Sequence, residues 1–89
     1  MARNQNPQAG SIKFPIQRGV IAMNAVTSAT ATITSVDVNK CELRMLGAYN
    51  TSVASDLASV VLTNATTVTA NRGTTTGTSN ISWELTEYY

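Results

Sequence analysis

The last stretch of the chain narrows the choice of fold most. Ile81, Trp83 and Leu85 alternate with Ser82, Glu84 and Thr86. A period of two puts the large apolar groups on one face of an extended strand and the polar groups on the other. Weaker copies of the pattern recur upstream. Cys41, Leu43 and Met45 alternate with Glu42 and Arg44, and Ala31, Ile33 and Ser35 alternate with Thr30, Thr32, Thr34 and Val36 within Ala29 to Val38. Thr66 to Asn71 is a Thr/Val run. Asp56 to Asn64, carrying Leu57, Val60, Val61 and Leu62, reads as a strand, although its spacing suits a short helix start almost as well.

The breaks between these runs have turn chemistry. Asp37, Asn39 and Lys40 form one, and Gly47, Asn50, Ser52 and Ser55 form another. Arg72 to Asn80 holds two glycines, four threonines and no apolar residue, and is expected to be an exposed, mobile loop. Near the start, Ile12, Phe14 and Ile16 share a face, but Pro15 lacks the N–H that a central strand must donate. That segment therefore reads as an edge strand or a docking arm. Gly19 interrupts the run from Ile16 to Met23, as a bulge or a close approach of two backbones would require.

The expected fold is all-β: a compact antiparallel β-sandwich or barrel of five to six short strands, with no helix longer than two turns. Residues 1–15 form an extended N-terminal arm and residues 16–89 a single β domain. Fourteen Thr, eight Ser and eight Asn against eleven charged residues fit strands with one hydrated face, because β-branched Thr suits a pleated, half-exposed surface.

Eighty-nine residues bury only a modest fraction of their surface. Small folds compensate with disulfides, metals or oligomerisation. With one cysteine, Cys41, and no histidine, neither a disulfide framework nor a zinc site is expected, which leaves self-association. Six basic and five acidic side chains, without runs of either sign, give no nucleic-acid footprint. No stretch approaches the roughly 20 apolar residues that span a bilayer, and Met1 to Gln8 lacks a secretory apolar segment. The reading is therefore no nucleic acid, no membrane, and synthesis in a reducing compartment without export by a recognisable route.

No catalytic, cofactor or metal residues are expected. Histidine, the commonest general base, is missing, and Glu84 and Glu87, three apart on a strand, point to opposite faces. Cys41 shares the apolar face of Leu43 and Met45, where a thiol behaves as a small hydrophobe. Arg72-Gly73-Thr74-Thr75-Thr76-Gly77 lacks the lysine and helix of a phosphate loop. The Asn-x-Ser/Thr sequons at Asn50, Asn64 and Asn80 carry no weight in a chain so rich in Ser and Thr. Trp83 aligns with Ile81 and Leu85 as core, while Tyr88 and Tyr89 are open to contact with a partner.

Ile16-Gln17-Arg18-Gly19, the Thr-rich strand ending in Val36-Asp37-Val38-Asn39-Lys40, and Ile81-Ser82-Trp83-Glu84-Leu85 closing on Glu87-Tyr88 resemble a pattern in small virion proteins of tailed bacteriophages. The resemblance runs from about Ile16 to the C-terminus. It implies a β-sandwich-like module on the phage particle, commonly a homotrimer. Such a module serves as a capsid decoration (cement) protein bound to the major capsid protein or, alternatively, as a tail or fibre module. This chain is shorter than many with such an ending. On the decoration reading the arm docks on capsid subunits, and the expected partner-binding residues are Ile12, Phe14, Ile16, Arg18, Tyr88 and Tyr89. On the tail reading Tyr88, Tyr89 and the Thr74 to Thr76 loop grip a host surface polysaccharide.

Overall fold

The computed structural model describes residues 10–51 and 58–89. Six strands follow in order: β1 (Ile12–Asn24), β2 (Ser28–Thr32), β3 (Cys41–Asn50), β4 (Ala58–Asn64), β5 (Thr67–Arg72) and β6 (Thr78–Tyr88), with a single 3-10 turn at Val38–Lys40 ahead of β3. They form two antiparallel three-stranded sheets, β1-β6-β3 and β2-β5-β4. Both sheets stay open at their edges, so of the two expected architectures the sandwich is found and the barrel is not.

Alternation dictates which faces meet. Ile81, Trp83 and Leu85 of β6, with Ile21 and Met23 of β1, pack against Val68 and Ala70 of β5, and Ile33 and Val36 complete the buried cluster. Ala29 and Ala31 of β2, Cys41 and Leu43 of β3, and Ala58, Val60 and Leu62 of β4 line its margins, half-buried. Burying a large aliphatic or aromatic group contributes about 1.5–3 kcal/mol. The few central residues therefore carry most of the stability.

Several expectations shift in detail. The alternating run from Ala29 is a strand only as far as Thr32; Ile33 and Val36 are both buried although a continuous strand would place them on opposite faces. The chain turns out of the sheet there, and the backbone N–H groups of Ile33 and Val36 bond instead to the carbonyls of Thr66 and Ala65. Asp37 caps the 3-10 turn by accepting from Asn39 N, which is the turn chemistry read from its sequence. The boundary drawn at residue 15 falls inside β1, since Ile12 and Lys13 already pair with Tyr88 and Glu87. Residues 1–9 of the expected arm lie outside the described residues, as do Ser52, Ser55, Asp56 and Leu57. The expected loop is shorter: Arg72 ends β5 and Thr78 begins β6. The break expected at Gly47 and Asn50 is absent, because both lie within β3 and pair with Ser82 and Ser79 after a local shift of register.

β1 lies at the edge of its sheet, as Pro15 requires, and Phe14–Pro15 is a cis peptide within a break of register between Lys13 and Gln17. Gly19 is the close approach anticipated from its sequence. It faces Trp83, and a Cβ at this position would sit 2.7 Å from an indole carbon. Trp83 is 4% exposed and has no room to retreat. Gly19→Ala is therefore expected to lower the stability measured by urea unfolding by about 1–3 kcal/mol through overpacking. Ala25, between β1 and β2, holds a φ of 56°, a left-handed conformation that disfavours a Cβ. Ala25→Gly should raise stability in the same assay, by up to about 1 kcal/mol.

Candidate partner-binding surfaces

The two ends of β6 are built differently. At its C-terminal end Ile12 pairs with Tyr88, Gly10 N donates to Tyr89 O at 2.8 Å, and Tyr89 N donates to Ser11 O at 2.9 Å. This arrangement sets Ile12 opposite Tyr88, with Tyr89 on the other face of the strand pair and Phe14 two residues further along β1. Phe14 is 73% exposed, Ile12 and Tyr89 are also exposed, and Tyr88 is half-buried. Of these, Tyr89 is held by Lys13, whose Nζ lies 3.9 Å from a Glu87 oxygen and 5.5 Å from the centre of the Tyr89 ring.

The other two expected residues are placed differently. Ile16 is half-buried. Arg18 lies further along β1 on the outer face, where its Nε donates to Glu84 at 2.7 Å, while Arg44 on β3 approaches the same carboxylate at 3.8 Å. The register Arg18–Glu84–Arg44 runs straight across the three strands. Arg18 is thus one rung of a cross-strand charge ladder rather than part of the apolar end.

Beside the Phe14–Pro15 peptide an open cleft is lined by Lys13, Phe14, Pro15, Gln17, Thr34, Ser35 and Glu87. Its floor is fixed by hydrogen bonds. The Gln17 side-chain amide donates to Thr34 O at 3.0 Å and accepts from Thr34 N at 2.9 Å, standing in for a strand partner where β2 has ended. Glu87 accepts from Asp37 N at 2.8 Å. Glu84 and Glu87 are therefore each engaged in separate local structure. Cys41, whose Sγ donates to Asp37 O, has its thiol pKa raised by burial first and then by the charges of Glu87 and Asp37. Those causes favour the neutral thiol over the reactive thiolate.

The opposite end of β6 is closed by Arg72, which sequence reasoning missed. Its side chain is buried, and its guanidinium donates to Val26 O (2.8 Å), Thr76 O (3.2 Å), Ser79 Oγ (2.8 Å) and Gly77 O (2.8 Å). One cation thus ties the β1–β2 turn to the β5–β6 loop. In the sequence Arg72 looks like the first residue of a polar loop, and no local signal distinguishes a buried arginine there from a solvated one. Tyr88 and the loop preceding Thr78 stand at opposite ends of β6, about 30 Å apart at the rise of a β-strand. The expected polysaccharide grip of Tyr88, Tyr89 and Thr74 to Thr76 does not converge on one site.

Also missed was the exposure of β3, where Met45, Leu46 and Tyr49 are 47%, 52% and 66% exposed. Alternation had assigned Met45 to the buried face. It does lie opposite Trp83, but the register breaks after it, between Met45 and Gly47.

Arg72→Met retains much of the aliphatic bulk and removes all four hydrogen bonds. It is expected to cost about 1–3 kcal/mol in chemical unfolding, because the buried Ser79 hydroxyl and three partly buried carbonyls lose their donor. Proteolytic cleavage within residues 73–77 should rise in the same variant.

No protein-family model matches this chain, and neither a curated protein nor a solved structure matches it.

Proposed function

We propose that this chain is a structural protein of a tailed-phage virion, a decoration protein that binds the major capsid protein as a homotrimer and stabilises the capsid lattice. The observation that carries the reading is the group of exposed side chains Ile12, Phe14 and Tyr89 along the paired ends of β1 and β6, with Tyr88 half-buried opposite Ile12. Aromatic side chains contribute large contact areas with little loss of rotamer freedom, and they are enriched at the energetic centres of protein interfaces. The surface elsewhere is rich in Thr, Ser and Asn and poor in charge, which limits repulsion when copies are packed densely. The chain's few buried residues give a second reason for a partner.

The test is co-sedimentation with phage particles that lack the protein, after light scattering has given the solution mass. The wild-type chain should have the mass of a trimer and pellet with the particles. Phe14→Ser combined with Tyr89→Ser should weaken pelleting by roughly tenfold or more, as removal of central aromatic contacts does. Circular dichroism and unfolding of the variant should stay close to wild type, because both side chains are exposed. Undiminished pelleting of a folded variant would overturn the docking surface, and a wild-type chain left in the supernatant would overturn the capsid reading.

A further inference from the structure

We infer that β3 is a self-complementary docking edge: a second copy of this chain pairs antiparallel with it, in the register that sets Leu43 against the second copy's Leu43. The two sheets β1-β6-β3 then join into one sheet of six strands.

An exposed sheet edge presents a row of backbone donors and acceptors whose natural complement is another strand. The described edges are unequal in this respect. β1 is interrupted by Pro15 and its break of register, β2 is five residues long, and β4 has its own register break between Leu62 and Asn64. β3 is ten residues long and contains neither proline nor lysine. Its pairing with β6 is regular from Cys41 to Met45 and breaks before Gly47, so the regular segment is centred on Leu43. A bulge of this kind disrupts the ladder locally and bends the strand, and the pairing with β6 resumes beyond it over Gly47 to Asn50.

Charge then selects the register. Glu42 and Arg44 flank Leu43, are exposed, and point to the outer face. Among the described residues Glu42 is the carboxylate with neither a hydrogen bond nor an ion pair: Asp37 accepts from Asn39, Glu84 pairs with Arg18 and Arg44, and Glu87 pairs with Lys13. In antiparallel pairing centred on Leu43, each Glu42 lies across from the other copy's Arg44, which gives two equivalent opposite-charge pairs. Moving the centre of the pairing by one residue, to Glu42 or to Arg44, would instead set Glu42 against Glu42 or Arg44 against Arg44, and like charges directly opposite destabilise a strand pair. On the inner face the same register puts Cys41 across from Met45, covering side chains that the monomer leaves partly exposed.

The contact is isologous and closes at two copies, so together with a threefold contact elsewhere it would join one trimer to the next. A strand pair this short makes a small interface, of the size that associates weakly and transiently unless copies are concentrated.

The test is sedimentation analysis of the purified full chain across a concentration series, with no phage particles present, so its result is independent of the capsid reading. Wild type should show a concentration-dependent twofold step in mass. E42R and R44E, checked for folding by circular dichroism, should each lose that step, because each sets like charges against one another. An equimolar mixture of the two should regain it, since one chain then offers two positive positions and the other two negative ones. In a Cys41→Ser background, Leu43→Cys should oxidise to a covalent dimer, which keeps the register testable if R44E fails to fold beside Glu84. A wild-type mass without the twofold step, a step unchanged in both folded variants, no recovery on mixing, or no covalent dimer would each overturn the proposal.

Discussion

β6 is hydrogen-bonded on both sides, to β1 and to β3, and its inward side chains Ile81, Trp83 and Leu85 form the centre of the buried cluster. The remainder of the sandwich is arranged to accommodate it. Trp83 is the largest side chain in the core, and it fits because Gly19 on the neighbouring strand has no Cβ. Across the interface the central strand β5 offers the small Val68 and Ala70, both fully buried. A bulky residue on one sheet is thus matched by small ones on the other, which is how facing layers reach the density of a protein interior.

The two ends of the sandwich solve different problems. Near Thr78 the turn and loop carbonyls point inward, and the Arg72 guanidinium satisfies them without a carboxylate among the described residues. A delocalised, planar cation suits that task because its donors fan out in several directions while its charge is only weakly hydrated. At the other end β1 and β6 leave Phe14 and its apolar neighbours facing solvent. This exposed hydrophobic area lies beside a cleft whose polar groups are hydrogen-bonded to one another. The edges follow a similar division. β1 carries the irregularity and proline that discourage strand addition, whereas the regular part of β3 has neither.

Much of the strand content was legible from side-chain periodicity. The β6 pattern alone identified its inward residues, Pro15 placed β1 at an edge, and Gly19 announced a close approach. Of the expected docking residues, Ile12 and Tyr88 are set opposite one another by the antiparallel pairing of β1 with β6, and Phe14 and Tyr89 lie close by along the same two strands. Arg18 does not join them, since its position in the register is set by Glu84.

The sequence by itself determined the strand periods, the turn at Asp37 to Lys40 and the identity of the central core residues of β6, because these depend on side-chain alternation and local backbone preference. Tertiary structure alone decided that the sheets remain open, that Ile33 and Val36 share the core, that Arg72 is a buried clamp and that β3 is an exposed edge. Each of these depends on which segments lie across from one another, and contacts between residues tens of positions apart leave no periodic trace in the chain that makes them.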